Sequence, residues 1–244
     1  MNIIFSIYHT VLFQPLFNIL ILLYNFIPGK DFGIAIIVLT ILLRAAFYPL
    51  SAKAFVAQKV FAELQPKLKE LREKFKHDKD ALARQTLEAY QKSGVNPFAS
   101  IGPLLLQLPI LLAIFQVFSK GLQESQLSIL YPFVRNPETI SPLFLGIVNL
   151  SEQSLVLAVI AGALQFLQMH IGMSSSGSAS KNSGAALAQK HIMPIFFSAF
   201  TVSILLRLPA AIGIYWVATS VFSIAQQWYL AKKMKTREAT LKLA

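Results

Sequence analysis

Five stretches of the chain are apolar for long enough to cross a bilayer core of about 30 Å as helices. They cover residues 32–51, 97–118, 153–171, 191–206 and 210–230. Of the 244 residues, 55% are hydrophobic and only 14% are charged, and one soluble core of this size could not hide so much apolar surface. The pattern therefore predicts an all-α polytopic membrane protein with five transmembrane helices.

The distribution of basic residues predicts how those helices are oriented. Of the 22 lysines and arginines, 10 lie in residues 53–96, 2 in 172–190 and 5 in 232–244. The opposite side receives four: Lys30, Lys120, Arg135 and Arg207. By the positive-inside rule the chain starts outside and ends in the cytoplasm. A bacterial inner membrane is the expected location because no transit peptide is visible, and an organelle membrane is the alternative. Topology accounts for the net charge of +11, and no direct nucleic-acid site is predicted.

The N-terminal segment, residues 3–27, is apolar almost all round but has one polar stripe. The stripe consists of Thr10, Gln14, Asn18 and Asn25, whose spacing returns to nearly the same helical face. This favours an amphipathic helix lying on the outer membrane surface, and a sixth span is the alternative. Residues 1–31 would then form this helix and a connector, and residues 32–244 the core.

Residues 53–96 form the long charged segment and have the composition of helices. Two apolar rows at heptad spacing are separated by "KHDKD": Phe61, Leu64, Leu68, Leu71 and Phe75, then Ala83, Leu87 and Tyr90. The pattern predicts a cytoplasmic helical hairpin in which these rows face each other. A solvated coiled-coil spacer with no partner is the alternative.

The remaining connections are predicted from composition. Residues 172–190 contain a Gly/Ser-rich stretch typical of a flexible cytoplasmic linker. The outer loop, 119–152, contains three prolines and should be irregular with one short interfacial helix. The basic tail, 231–244, favours anchoring to anionic headgroups, with ribosome contact as the alternative.

One arginine, Arg44, lies inside the first predicted span. Placing a guanidinium at mid-bilayer costs from about 3 to more than 10 kcal/mol, so Arg44 needs protein or water around it. Thr40, Arg44, Tyr48 and Ser51 recur on one helical face and form a polar stripe. That stripe predicts a polar surface in the cytoplasmic half of the helix.

Other spans supply polar groups that could share this surface. They are Gln107, Gln165, Gln168, Thr219, Ser220, Ser223 and Gln226. Those spans contain no acidic residue. The residues therefore favour a hydrated, positively charged cavity that attracts an anionic group. The alternative is that Arg44 extends to the cytoplasmic interface and binds lipid phosphate or backbone carbonyls.

Several motifs resemble the YidC family of membrane protein insertases. They are "QPLF" at 14–17, "LLRAAFYPLSAK" at 42–53, "LQPKLKELREKF" at 64–75, "YQKSGVNPFASIGPLLLQLPI" at 90–110, "FLQM" at 166–169 and "YWVATSVFSIAQQWYL" at 215–230. Their order and spacing cover the chain from Gln14 to Leu230. The chain is expected to be a short form, without the leading anchor and large extracytoplasmic domain of long members.

The resemblance implies a five-helix core around a positively charged groove that is open to the cytoplasm and to lipid and closed on the outer face. It assigns Arg44, Gln168 and Trp216 to the groove. Gln107, Gln165, Thr40, Tyr48 and Ser220 are added on the polar-face argument alone. Implied partners are nascent integral membrane proteins and the lipid bilayer, with the ribosome and the Sec translocon as candidates and the protein itself monomeric.

Other classes of function find less support in the residues. No G-x-S-x-G nucleophile motif occurs, the histidines lie near predicted ends or in loops, and an enzyme is not expected. No phosphate-binding loop, cysteine or regular metal-ligand spacing is present, and no cofactor or metal is expected. An anion or small-solute transporter or channel is the alternative function, although no repeat of two similar halves is found.

Overall fold

Helices make up most of the protein in the computed structural model, which describes residues 3–94, 111–117, 124–174 and 192–243. The α-helices are α1 (Ile3–Tyr8), α2 (Gln14–Phe26), α3 (Phe32–Ala46), α4 (Tyr48–Lys74), α5 (Lys79–Ser93), α6 (Leu155–Ser174), α7 (Met193–Leu205) and α8 (Ala210–Leu243). Residues 111–117 are also helical. A π-helical turn, His9–Phe13, joins α1 to α2, and Glu124–Ile129 form a 3₁₀ helix.

Within the described ranges, two helical stretches are long and apolar enough to cross a membrane, Ser6–Phe26 and Leu155–Gly172. A third is obtained if α3 and α4 count as one broken span, and α7 is apolar but shorter. This agrees with an all-α membrane protein, and the arrangement of five spans stays a prediction. Most of the predicted second span, including Gln107, lies outside the described residues, as does most of the 172–190 linker.

Prolines explain two departures from regular helix. Pro15 has no N–H to donate one turn back, and the chain accommodates it with the π turn, in which the Gln14 N–H bonds the His9 carbonyl. The predicted first span is interrupted at Phe47, directly before α4, whose first turn contains Pro49. Arg44 therefore lies in the last turn of α3, just before this interruption.

The chain divides into two compact units. The first unit comprises Met1–Ala46, Leu106–Gln165 and Phe197–Phe222, and the second comprises Phe47–Leu105, Phe166–Phe196 and Ser223–Ala244. In the first unit, aromatic side chains of α2 and α3 form part of a buried core. Tyr24 and Phe32 are both buried, and their rings meet edge to face with centroids 5.9 Å apart.

The outer loop contains a β-hairpin that its composition did not predict. Strands β1 (Leu143–Phe144) and β2 (Val148–Asn149) pair antiparallel, with Phe144 opposite Val148. The loop was expected to be irregular because it contains three prolines, and two strands of two residues each, without an Asn-Gly turn, give no clear signal in the sequence. Beyond β2, the carbonyls of Leu150 and Glu152 accept hydrogen bonds from the first N–H groups of α8. The outer loop thus caps the N-terminus of α8.

The polar stripe of α2 binds the backbone of the outer loop. The Gln14 and Asn18 amides donate to the Ile129 carbonyl at 3.1 and 3.3 Å, and the Asn18 carbonyl oxygen accepts from the Tyr131 N–H at 2.6 Å. Asn18 is only 2% exposed. Much of this stripe is therefore satisfied by protein, which sequence periodicity could not distinguish from a face turned to water.

The loop follows α2 to its C-terminal end. There the Asn25 amide donates to the Arg135 carbonyl at 2.7 Å, and the Tyr24 hydroxyl accepts from the Ser141 N–H at 3.0 Å. Arg135 and Glu138 on this loop are exposed. An irregular, partly charged segment thus runs beside α2 and is fixed to it by its backbone; we call this segment, residues 129–141, the strap.

Asp31 fixes the hairpin to the start of α3. One carboxylate oxygen accepts from the Ile34 N–H at 2.9 Å as a helix cap, and the other accepts from the Leu145 N–H at 2.6 Å. The Phe144 side chain lies over Gly33, where an added Cβ would be only 2.2 Å from a ring carbon. Only glycine permits this close approach of hairpin and helix.

In the second unit, α4 and α5 pack together in antiparallel fashion. The rings of Phe61 and Tyr90 stack with centroids 6.0 Å apart, and Leu68 and Ala89 are buried. Asp78 caps the start of α5 by accepting from the Ala81 N–H at 2.9 Å.

An ion pair joins two residues near the end of α5. The Lys92 ammonium, 2.6 Å from Glu88, holds the pKa of that carboxyl below its usual value, and the charge of Lys67 on α4 adds to the effect. Because α4 ends at Lys74 and α5 begins at Lys79, the contact of Phe61 with Tyr90, far from this short connection on both helices, means that the two helices run in opposite directions.

Two of the three residues in the predicted facing row on α5 were wrong, whereas the third, Tyr90, stacks on Phe61 of α4. Ala83 and Leu87 are exposed, Leu87 by 59%, and less exposed positions on α5 include Leu82, Thr86, Ala89 and Ser93. The large apolar residue Leu87 misled the sequence analysis because its size suggested a core position.

Candidate functional site

The Arg44 guanidinium is half-buried and hydrogen-bonded to the hydroxyl of Tyr215. Tyr215 lies on α8 and is itself only 3% exposed. The hydroxyl oxygen of a tyrosine can accept from a guanidinium N–H, so this bond orients the cation.

Trp216, the next residue on α8, joins the same helix to α6. Its indole N–H donates to the Gln165 side-chain oxygen at 3.3 Å, and both side chains are half-buried. Gly213, one turn earlier, lies against Leu157 of α6, where an added Cβ would be 3.1 Å away. This close approach of the two helices lets Trp216 reach Gln165.

Thr219 and Ser220 follow one turn after Tyr215 and Trp216. Both hydroxyl oxygens are buried, Ser220 being 1% exposed, and neither has a hydrogen-bond partner in the described part of the chain. A buried hydroxyl without a partner costs about 1–3 kcal/mol. Such groups are suited to bind water or a polar group that enters from outside.

Thr40 and Arg44, one turn apart on α3, differ in how their polar atoms are used. The Thr40 side chain is 2% exposed, and its hydroxyl donates to the Ile36 carbonyl of the same helix at 2.7 Å. Its hydrogen-bonding capacity is thus used within α3. The assignment of Thr40 to a groove stays a prediction.

Two of the predicted groove residues belong to the second unit. Tyr48 begins α4 and Gln168 lies on α6, and both are half-buried. Ser51 accepts a hydrogen bond of 2.8 Å from the Gln226 amide, which joins two residues of the predicted polar faces. The role of Tyr48 and Gln168 stays a prediction, and Gln107 lies outside the described residues.

Tyr215 is the contributor that the sequence analysis did not select. The polar row predicted on the last span begins at Thr219, and Tyr215 lies four residues earlier on the same helical face. The hydroxyl of a tyrosine among apolar residues was the available signal. It was overlooked because tyrosine is also a common core residue.

Comparison with known proteins assigns the chain to a family. The model of the family described as 60Kd inner membrane protein matches residues 22–238. The chain belongs to this family. The match covers Arg44, Tyr215 and Trp216, so the site just described lies within the part shared with the 60Kd inner membrane protein family.

Curated relatives of the chain bear the name membrane protein insertase YidC. The protein from Fusobacterium nucleatum is 32% identical over 203 residues, which are 83% of this chain and 87% of the relative. Those from Syntrophus aciditrophicus and Lawsonia intracellularis are 33% and 29% identical over 90% and 92% of this chain. The chain spans only 36% and 39% of the length of these two relatives.

Proposed function

We propose that the protein is a membrane protein insertase that inserts integral membrane proteins through a polar surface centred on Arg44. The observation that carries the proposal is the Arg44–Tyr215 pair, in which a tyrosine in the predominantly apolar first part of α8 orients a cation on the predominantly apolar helix α3. The names of the relatives support the same activity.

The proposed orientation has five transmembrane helices, an outer N-terminus and a cytoplasmic C-terminus. The helix pair of α4 and α5 is proposed to be the cytoplasmic hairpin, because residues 53–96 hold 10 lysines and arginines. The N-terminal helix is proposed to lie on the outer face rather than to form a sixth span. A segment with irregular backbone and charged side chains is not stable in lipid. The strap is such a segment, because it is hydrogen-bonded to α2 and exposes Arg135 and Glu138.

In the proposed mechanism, an acidic residue in a client's extracytoplasmic tail pairs transiently with Arg44. Tyr215 keeps the guanidinium in place, and the hydroxyls of Thr219 and Ser220 bind water or polar client atoms nearby. Water around the site keeps the ion pair weak and therefore reversible. The client's apolar segment then leaves water for lipid, at about 25 cal/mol per Å², and no nucleotide is needed.

The test is insertion of a single-span client with an acidic tail into proteoliposomes, measured by protease protection. We expect Arg44→Ala to lose most protection and Arg44→Lys to keep it, because the charge attracts the tail. Arg207→Ala is the matched control, since Arg207 is an exposed arginine of the same unit. Equal protection by Arg44→Ala and the unaltered protein would disprove the role of Arg44.

A parallel measurement separates the insertase from a transporter or channel. The same vesicles, loaded with a small anion, should show no flux above that of protein-free vesicles. Flux that depends on Arg44, together with no client protection, would overturn the proposed function in favour of a transport pathway.

A further inference from the structure

We propose that the tip of the outer β-hairpin inserts into the outer leaflet of the bilayer and that lipid is its partner. Three apolar side chains of the tip are exposed: Leu143 by 43%, Leu145 by 60% and Ile147 by 83%. The inference rests on the orientation proposed above, in which this hairpin is on the outer face.

The hairpin has one face that packs against protein and another that does not. Phe144 lies over Gly33, and its cross-strand partner Val148 is half-buried. Side chains alternate along a strand, so Leu143 points away from the face that holds Phe144. The apolar residues left exposed are thus a separate set from those that hold the hairpin in place.

The turn has a strained backbone and exposes the side chain of Leu145. Leu145 has φ 51° and Gly146 has φ 71°, and the Ile147 N–H closes the turn on the Phe144 carbonyl at 3.0 Å. A leucine is strained in this left-handed region, whereas asparagine or glycine would fit. The Asp31 carboxylate holds the Leu145 N–H and helps to stabilise the turn. Strain of this kind at an exposed apolar tip suggests a function for the side chain.

The position of the tip favours lipid as the partner. Asp31 caps α3, the helix proposed to enter the membrane from the outer side, and it bonds Leu145 directly. The tip is therefore held at the level where charged residues give way to an apolar helix. Apolar side chains of interfacial segments penetrate about 5–10 Å into the headgroup and acyl boundary. Three side chains are too few for a stable protein interface, which buries about 800 Å² on each partner.

Spin labelling tests the inference, and the chain contains no cysteine that would interfere. A nitroxide at Ile147→Cys in the full chain, reconstituted in lipid vesicles, is compared for collision with oxygen and with a water-soluble nickel chelate. Glu138→Cys is the control because Glu138 is exposed on the strap of the same loop. We expect a several-fold higher ratio of oxygen to nickel collisions at position 147.

Two results would overturn the inference. One is an equal ratio at positions 147 and 138, which would place the tip in water. The other is shielding of position 147 from both reagents, which would indicate contact with protein, and dipolar broadening would then identify a second copy. Adding Leu145→Asn keeps a residue that tolerates the turn and should lower the ratio at position 147.

The insertion assay in the same vesicles distinguishes this inference from the proposed function. Lipid contact at position 147 without client protection would leave the inference standing and overturn the function. Client protection with a water-exposed label would overturn the inference alone.

Discussion

Two sets of polar side chains on apolar helices of the first unit are used in opposite ways. On α2, Asn18 is buried and uses its side-chain amide to donate and accept hydrogen bonds with the outer loop. On α8, Ser220 is buried to the same degree, and its hydroxyl has no partner among the described residues. Equal burial therefore says little about whether a polar group stabilises the fold or serves a ligand.

The difference lies in what removal of each group would leave behind. Without Asn18, the partly buried Tyr131 N–H would lose its acceptor, which is costly. Without the Ser220 hydroxyl, no partner in the described chain would be left unsatisfied. We therefore expect stability to fall more on substitution of Asn18 than of Ser220, and client insertion to fall more on substitution of Ser220 than of Asn18.

The largest expected loss of stability is that of Asn18→Leu. Leucine cannot hydrogen-bond the loop, and we expect the free energy of unfolding to fall by about 1–3 kcal/mol, with faster protease cleavage in the strap. Thermal unfolding in detergent measures the first effect. Thr10→Leu, on an exposed stripe position, is the control and should lose little. Equal stability of Asn18→Leu and the unaltered protein would show that the strap does not stabilise the unit.

Gly33→Ala tests the contact between hairpin and α3. Alanine normally favours a helix over glycine, but here its Cβ would overlap Phe144, and we expect a loss of about 1–3 kcal/mol from overpacking. The control is Gly172→Ala, where an added Cβ would meet its nearest neighbour at an ordinary 3.8 Å. Stabilisation by Gly33→Ala would mean that Phe144 moves aside at no cost.

Tyr215→Phe should affect both measurements moderately. The ring remains but the acceptor for Arg44 is lost, so we expect a cost of about 0.5–1.5 kcal/mol in unfolding. Client protection should fall several-fold, though less than in Arg44→Ala, because the charge stays. If client protection is unchanged in Tyr215→Phe, orientation of the guanidinium is unimportant.

The smallest change in stability is expected for Ser220→Ala. Its hydroxyl has no partner among the residues that the structure describes, so the free energy of unfolding should stay within about 0.5 kcal/mol or rise. Client protection should nevertheless decrease. Ser203→Ala is the control, since the Ser203 hydroxyl is exposed and bonded to the Ala199 carbonyl of its own helix. A large loss of stability in Ser220→Ala would indicate that the hydroxyl has a structural role.

Helix-forming segments were the part of the fold that could be predicted from the sequence. Long apolar runs and a charged heptad segment are local signals, and α3, α5, α6, α7 and the start of α8 fall within or beside the predicted ranges. The interruption at Phe47 was missed, although Pro49 two residues later gives a local reason. The seam of α5 was predicted partly from Leu87, a large apolar residue that is 59% exposed in the structure.

Contacts between distant residues were beyond the sequence. Asn18 and Tyr131 are separated by more than one hundred positions, and nothing in their spacing indicates that they meet. Arg44 was selected because a charge in an apolar run is costly, whereas its partner Tyr215 carries no such signal. The polar stripe also selected Thr40, one turn from Arg44, but the Thr40 hydroxyl donates to the Ile36 carbonyl of its own helix.

Helix α8 has a further consequence because it continues without interruption for 34 residues from Ala210. At 1.5 Å per residue it is about 51 Å long, well beyond a bilayer core of about 30 Å. If its last turns keep the direction of the proposed span, the backbone of residue 242 lies about 18 Å past Leu230, further than two Debye lengths of about 8 Å. In that case the proposed anchoring to anionic headgroups would depend on Lys232 and Lys233, at the start of this extension, more than on the residues at its end.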